Sequence, residues 1–208
     1  MRWFTSDLHL NHTNIIDYTG RPFSNVDEMN GVICARWNER ISPADEVFLV
    51  GDAFLGDPAQ GDELIGSFNG RKTLILGNHD RHKRELRNVF SVVVKRLDLA
   101  LKDGRRALLR HVPMPSDDLY AYDLQVHGHH HAGLRVNGKH VNVCVDLWDF
   151  RPISEDELCS LQLGKPEPSE VQVDIVDGGR VIINVDVPLR KLDGLIESIV
   201  DMRKRRDP

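Results

Sequence analysis

The feature that most constrains this chain is a repeated arrangement in which an apolar segment runs directly into a polar cluster of Asp, His or Asn residues. In open α/β sheets, the functional site lies outside the carboxyl ends of the strands. Five such segments in one chain therefore predict an α/β fold whose strand ends converge on one site. The clusters are Asp7-Leu8-His9, Gly51-Asp52, Gly77-Asn78-His79-Asp80, His111 and His127-Gly128-His129-His130-His131.

Periodicity and capping residues predict the elements around these clusters. Residues 24–40 are typical of a helix, because Ser24 or Asn25 can cap it and apolar residues recur on one face. The apolar run 46–50 indicates a buried parallel strand. Strand–helix alternation followed by strand pairs predicts an α/β sandwich of sheets flanked by helices. Further strands are expected at 2–5, 72–76, 89–94, 97–102, 107–111, 124–127 and 140–145, and further helices at 57–68, 81–88 and from Ser154.

The last 44 residues differ in pattern from the rest of the chain. Lys165–Ser169 contains two prolines and is typical of a linker. Beyond it, the alternation over 171–187 predicts a β-hairpin, and 188–205 suits an amphipathic helix. We therefore expect a main domain at 1–164 and a hairpin–helix extension at 165–208. The hairpin could extend a sheet or form a homodimer contact, and the pattern does not separate these alternatives.

Composition excludes several classes of protein. No stretch approaches the ~18 apolar residues of a spanning helix, and residues 1–10 lack the apolar core of a signal peptide, so no membrane partner is expected. Cys34, Cys144 and Cys159 are widely spaced without a CxxC motif, which is typical of free thiols in a reducing cytoplasm. The net charge of −5 disfavours a large duplex nucleic-acid footprint but not binding of a nucleotide or strand end.

The side chains of the clusters are typical metal ligands. Six of the ten histidines lie between residues 111 and 140, and imidazole is the commonest protein metal ligand. Carboxylates, imidazoles and one amide, without a thiolate, suit Mn²⁺, Fe, Ni²⁺ or Zn²⁺. The set is too large for one tetrahedral site of four ligands, whereas two ions sharing a carboxylate would use all of it.

Together, the motifs resemble the ordered signature of calcineurin-like metallophosphoesterases, in particular a small bacterial and phage-type subgroup. They run from residue 7 to 131, with related support to about 160. The resemblance implies a four-layer αββα fold and a dinuclear centre, with manganese as the first choice of metal. It implies that His79 is catalytic and that Asp80 orients the His79 ring. The implied ligands are Asp7, His9 and His131 for the first ion, Asn78, His111 and His129 for the second, and Asp52 as the bridge.

Two further residues are candidates for substrate contact. His12 closely follows the first cluster, and Arg21 lies in a Gly-Arg-Pro-Phe segment that resembles the same subgroup. The bidentate guanidinium of an arginine could clamp a phosphate. The alternatives are a loop histidine and a surface arginine in a turn.

The resemblance implies a phosphoric ester hydrolase in which a metal-bridging hydroxide attacks phosphorus. Family habit favours a diester of a small nucleotide or nucleic-acid end. A monoester carries an extra negative charge and would favour more cationic groups near the metals, for which Arg21, Arg81, Lys83 and Arg84 are candidates. A phosphomonoesterase or protein phosphatase, and a non-catalytic metal-stabilised interaction module, are the alternatives. A DNA nuclease with a long groove is disfavoured by chain length and charge.

Overall fold

Two five-stranded mixed sheets organise the main part of the protein. The computed structural model describes residues 1–80, 85–164, 172–176 and 180–184. Its helices are α1 (Ile15–Thr19), α2 (Val26–Arg40), α3 (Pro58–Gly66) and α4 (Glu155–Ser160). Its strands are β1 (Arg2–Thr5), β2 (Glu46–Leu49), β3 (Arg71–Ile75), β4 (Val92–Val94), β5 (Leu97–Ala100), β6 (Arg106–Leu109), β7 (Leu124–His127), β8 (Val136–Asn137), β9 (His140–Asn142), β10 (Ile153–Ser154), β11 (Gln172–Val176) and β12 (Arg180–Asn184).

Parallel pairing brings the carboxyl ends of the central strands to one edge of each sheet. The first sheet has the order β10-β1-β2-β3-β4, in which only the β10–β1 pair is antiparallel. The second sheet has the order β5-β6-β7-β9-β8, with β6, β7 and β9 parallel and both edge strands antiparallel. The predicted α/β sandwich of two mixed sheets is therefore confirmed.

One apolar core lies between the two sheets. Phe4 and Phe48 of the first sheet stack with ring centroids 5.3 Å apart. They belong to the same buried cluster as Leu109, Val126 and Val141 of the second sheet. Alternate residues of a strand point to opposite faces, so these strands also present a second set of side chains outward. Burial of aromatic and branched side chains on this scale is the main favourable term that holds the sheets together.

A second core lies between the first sheet and the helices. The apolar face predicted for α2 is buried here through Met29, Ile33 and Trp37. The Trp37 indole donates a hydrogen bond to the Asn69 carbonyl at 2.9 Å, so its polar atom is satisfied as well. On the other side of the molecule, the outward face of the second sheet is covered within the described residues by 110–122, which contains only a 3₁₀ turn.

Local capping chemistry sets the helix starts. The Asn25 side chain accepts a hydrogen bond from the Glu28 amide, and the Asp57 side chain accepts one from the Ala59 amide. Ser154 and Glu157 form the full capping box of α4. The sequence did not predict α1, β8 or β10, which are only five, two and two residues long.

The chain separates into two compact units, 1–165 and 166–208. In the second unit β11 and β12 pair antiparallel, with Val173 opposite Ile183 and Ile175 opposite Val181. The helix expected over 188–205 lies outside the described residues. None of the helices described here combines the length and apolar character that crossing a bilayer requires.

We expect Ser154→Ala to lower the free energy of unfolding by about 1 kcal/mol, because it removes the N-cap of α4. Ser160→Ala is the matched control, since among the described residues its hydroxyl bonds only to the Glu157 carbonyl inside the helix, and its effect should stay within about 0.5 kcal/mol. Urea unfolding followed by circular dichroism measures both. Equal effects of the two substitutions would contradict a capping role for Ser154.

Candidate metal centre

Loops that follow the parallel strands carry the polar clusters to one place. The loops continue the pairing of their strands, because the Asp7 amide donates to the Gly51 carbonyl and the His9 amide donates to the Asp52 carbonyl, both at 3.0 Å. The His129 amide donates to both carboxylate oxygens of Asp7, at 3.1 and 3.0 Å, which ties the loop after β7 to the loop after β1. The centre therefore spans both sheets.

Four non-glycine residues of the polar clusters have left-handed backbones. The φ angles are 57° at Asp7, 49° at His9, 54° at Asp52 and 71° at His129. Such conformations are uncommon outside glycine, although Asp, Asn and His tolerate them better than most residues. They typically cost about 1–3 kcal/mol each and cluster at functional sites. Here they lie immediately after the strands, in the segments that carry the side chains of the cluster.

Three glycines allow the loops to approach the clustered side chains. A methyl group on Gly51 would overlap the His111 ring, and one on Gly128 would overlap the carboxylate of Asp7. A methyl group on Gly77 would overlap the Asp52 carboxylate and lie 2.6 Å from the Asp52 backbone nitrogen. Because those atoms belong to backbone or to packed functional groups, each glycine is required by close approach.

The carboxylates of Asp7 and Asp52 form the middle of the cluster. Asp52 Oδ2 lies 3.5 Å from His9 Nε2 and 3.3 Å from His111 Nε2. Asp7 Oδ1 lies 3.9 Å from His9 Nε2, 3.8 Å from His131 Nε2 and 4.0 Å from His111 Nε2. Two donors each bound about 2.1 Å from one ion are at most about 4.2 Å apart. The donor spacing is therefore short enough for shared ligation.

A second group of donors surrounds the amide of Asn78. Its Oδ1 lies 2.9 Å from His111 Nε2 and 3.1 Å from His129 Nδ1. His111 Nδ1 lies 2.8 Å from the Val50 carbonyl, so that nitrogen carries the proton and Nε2 keeps its lone pair when the ring is neutral. Asn78, His111 and His129 are thus brought together as the sequence grouped them.

Asp7, His9 and Asp52 could hold a metal ion, and their surroundings fit that use. His9 Nε2 is buried and makes no hydrogen bond in the described part of the chain. The Asp7 and Asp52 side chains are 0% and 2% exposed, and neither forms an ion pair with a Lys or Arg among the described residues. Buried charges need a partner, and a divalent cation would supply one.

The pKa shifts of His111 and Asp52 show the same demand for positive charge, whereas burial keeps His9 neutral. Burial lowers the pKa of His9 well below its usual value. Burial also acts against protonation of His111, but the charge of Asp7 and the hydrogen bond to Asp52 outweigh it and raise the pKa to about 9. Burial alone would raise the pKa of Asp52, and the hydrogen bond from His111 lowers it instead.

His79 and His12 lie beside this cluster. The His79 amide donates to Asp52 Oδ1 at 2.9 Å, and its ring centroid is 5.3 Å from that of His9. His12 is buried, its Nδ1 lies 3.5 Å from His9 Nδ1, and its ring is 6.4 Å from that of His79. Both residues are therefore adjacent to the carboxylate pair.

The expected contact between Asp80 and His79 is corrected by the structure. The Asp80 carboxylate accepts hydrogen bonds from the amides of Asp52, Ala53 and Gly77 at 2.9, 3.0 and 2.7 Å. His79 Nδ1 is buried without a hydrogen bond to any described residue. Asp80 therefore fixes the loop that carries Asp52 rather than the His79 ring. Its own pKa is raised by burial and by the charge of Asp52.

The expected substrate contact of Arg21 is also corrected. The Arg21 side chain is 0% exposed and forms an ion pair with Asp146 at 2.8 Å. Asp146 Oδ2 in turn lies 2.9 Å from His131 Nδ1. Sequence reasoning did not assign Asp146 to the site, because it lies in a short turn after β9 with no ligand motif. Only the fold places it behind His131.

No protein-family model matches the chain. A solved structure of a protein of unknown function, AQ665 from Aquifex aeolicus, superposes with a TM-score of 0.66 and 28% identity over 78% of this chain and 99% of that one. An archaeal phosphodiesterase superposes with a TM-score of 0.42 and 14% identity over 69% of this chain and 81% of that one.

Two relatives are similar in sequence over most of their length. The Gene 66 protein of Mycobacterium phage L5 is 25% identical over 193 residues, covering 76% of this chain and 92% of the phage protein. The uncharacterized protein MJ1445 of Methanocaldococcus jannaschii is 33% identical over 168 residues, covering 76% of this chain and 89% of MJ1445. The chain therefore belongs to the same family as MJ1445.

Proposed function

We propose that this protein is a phosphoric ester hydrolase of the calcineurin-like metallophosphoesterase type that uses two divalent metal ions. The observation that carries the proposal is the position of Asp52 Oδ2, which lies within 3.5 Å of a histidine nitrogen on each side. His9 belongs to the group around Asp7, and His111 belongs to the group around Asn78. A carboxylate between two sets of donors is the arrangement by which two ions share one ligand.

The proposed ligands divide into two sets joined by Asp52. Asp7, His9 and His131 would hold one ion, and Asn78, His111 and His129 would hold the other. With both ions bound, the centre would polarise the phosphoryl oxygens and activate a water molecule for attack on phosphorus. Mn²⁺ is the first choice, with Fe, Ni²⁺ and Zn²⁺ sharing the same ligand preferences.

His79 is proposed as the proton donor of the reaction. Its amide is anchored on Asp52 Oδ1 and its ring stands beside His9, so it projects from the same loop as the ligand Asn78. Asp80 holds that loop through the Gly77 amide. A protonated His79 would stabilise the charge on the transferring group or protonate the leaving oxygen, a contribution of about 10²–10⁴-fold in rate.

The burial of the Arg21 guanidinium favours a diester substrate over a monoester. A monoester carries one more negative charge than a diester, so its recognition gains from a cationic side chain beside the metals. The Arg21 guanidinium is fully buried and bonded to Asp146 and to backbone carbonyls. It is therefore withdrawn from substrate. Arg81, Lys83 and Arg84, the other cationic candidates, lie outside the described residues.

We expect metal-free protein resupplied with Mn²⁺ to hydrolyse bis-p-nitrophenyl phosphate faster than p-nitrophenyl phosphate. Asp52→Asn should abolish hydrolysis, because it removes the shared carboxylate charge. His79→Ala should lower kcat by about 10²–10⁴-fold while the bound metal is retained. His140→Gln, on the outward face of β9, is the control for loss of a histidine outside the centre, and it should leave hydrolysis unchanged. Faster turnover of the monoester would make the protein a phosphatase, and no turnover of either by metal-loaded protein would contradict this assignment.

We also expect Gly77→Ala to reduce the metal content after dialysis, because the added methyl group displaces the carboxylate and backbone of Asp52. Gly66→Ala, at the end of α3, is the matched control, since its added methyl group meets no atom within 4 Å. Metal per chain is measured by inductively coupled plasma mass spectrometry, and melting temperature by circular dichroism. A folded Gly77→Ala protein with the metal content of the wild type would contradict the role given to Asp52.

A further inference from the structure

We propose that Arg21 and Asp146 are positioning residues that hold the ligands of one ion position, formed by Asp7, His9 and His131, and leave the other position independent of them. This inference rests on the dinuclear centre proposed above. Arg21 was expected from the sequence to contact substrate, and it receives a different role here. Asp146, which is not among the proposed metal ligands, receives a role for the first time.

The first contact in this arrangement fixes the His131 ring. Asp146 Oδ2 lies 2.9 Å from His131 Nδ1, and the Asp146 side chain is only 8% exposed. A carboxylate on one ring nitrogen sets the tautomer and leaves the other nitrogen as a metal donor. That other nitrogen, Nε2, faces Asp7 Oδ1 at 3.8 Å.

The second contact fixes Asp146 through both of its oxygens. Arg21 Nε donates to Asp146 Oδ1 at 2.9 Å, and Arg21 Nη2 donates to Asp146 Oδ2 at 2.8 Å. This is the bidentate geometry that a planar guanidinium provides and an ammonium does not. Asp146 therefore cannot rotate away from His131 without breaking two charged hydrogen bonds.

The remaining donors of Arg21 reach the loop that carries the other ligands. Nη2 also donates to the Asp7 carbonyl at 2.8 Å, and Nη1 donates to the Leu8 carbonyl at 2.9 Å and contacts Met29 Sδ at 3.3 Å. The backbones of Asp7 and His9 flank Leu8 in their left-handed conformations. One guanidinium thus ties the backbone of Asp7, and of Leu8 just before His9, through Asp146 to the ring of His131.

The second ion position is anchored by different means. His111 Nδ1 is held by the Val50 carbonyl, and Asn78 stands between His111 and His129. None of the hydrogen bonds that Arg21 and Asp146 make in the described structure goes to these three side chains. A change at Arg21 should therefore act mainly on one half of the centre.

In variants of Arg21 or Asp146, the two ion positions should differ in their affinity for metal. Loss of a carboxylate or its support behind a ligating histidine typically weakens metal binding by about 10–100-fold. Arg21→Lys keeps the charge but cannot form the bidentate pair, and Asp146→Asn keeps the shape but removes the charge. Both variants should bind one Mn²⁺ as tightly as the wild type and the second about 10–100-fold more weakly.

The experiment titrates metal-free protein with Mn²⁺, using calorimetry for the dissociation constants and electron paramagnetic resonance for the state of the bound ions. Wild-type protein at two equivalents should give an exchange-coupled signal from two ions. Arg21→Lys at the same loading should give the six-line signal of an isolated Mn²⁺. Melting temperatures of the metal-free proteins establish that each variant folds, and Asp146→Asn tests the same assignment by a milder substitution.

Arg2→Lys is the control for loss of a bidentate arginine pair in a partly buried position away from the centre. Arg2 also bonds both carboxylate oxygens of an acidic residue, Glu155, whose side chain is 8% exposed like that of Asp146, and it also donates to a backbone carbonyl. This pair joins β1 to the start of α4, and its variant should keep two tight ions. Two ions of unchanged affinity in both Arg21→Lys and Asp146→Asn would overturn the inference, as would equal loss of both ions. Wild-type protein that fails to bind two ions would overturn the dinuclear proposal itself, before any variant is compared.

Discussion

The structure depends on two carboxylates that are buried without a Lys or Arg partner in the described part of the chain. Asp7 and Asp52 lie at the ends of neighbouring strands, and each is surrounded by imidazole nitrogens and backbone amides. Removing a carboxylate from water is strongly unfavourable unless the protein or a cation replaces the lost hydration. The amide groups satisfy part of that demand, and the raised pKa of His111 shows that the cluster still attracts positive charge. A divalent cation meets this demand more completely than protons on histidines.

The surrounding fold can be understood as the means of building that cluster. Parallel strands bring several carboxyl ends to one edge, which antiparallel hairpins would separate. Left-handed residues follow directly after these strands, and glycines at 51, 77 and 128 avoid the side chains that would overlap the cluster. The strain of these loops, about 1–3 kcal/mol per residue, is offset by the two apolar cores on either side of the first sheet. The favourable free energy of apolar burial in the cores thus compensates for the backbone strain at the centre.

The sequence predicted those parts of the structure that are determined locally. Asn25, Asp57 and Ser154 cap the helices that follow them, because a cap needs only a side chain and an amide two or three residues later. Strand ends were predictable because polar clusters interrupt apolar runs. The grouping of Asp7, His9 and Asp52 followed from five motifs in order, and their ligand roles stay a prediction.

The contacts of Asp80, Arg21 and Asp146 could not be predicted, because each depends on a distant partner. Asp80 lies next to His79 in the chain, yet its carboxylate turns to the amides of residues 52, 53 and 77. Asp146 meets Arg21 across 125 residues of sequence, and only the pairing of β7 with β9 brings it near His131. Adjacency in sequence is therefore a poor guide to which acidic group supports which histidine.

The contrast between the two roles of Arg21 leads to a physical conclusion about the centre. A guanidinium has five N–H donors, and those of Arg21 are directed to Asp146, to two carbonyls and to the sulfur of Met29. The same group cannot also clamp a phosphate, because doing so would expose Asp146 and release His131. Arg21 therefore adds no direct contact to an anionic substrate, and the cationic side chains of Arg81, Lys83 and Arg84 lie outside the described residues. The positive charge of Arg21 thus supports the proposed metal ligands from the protein interior and does not face the substrate.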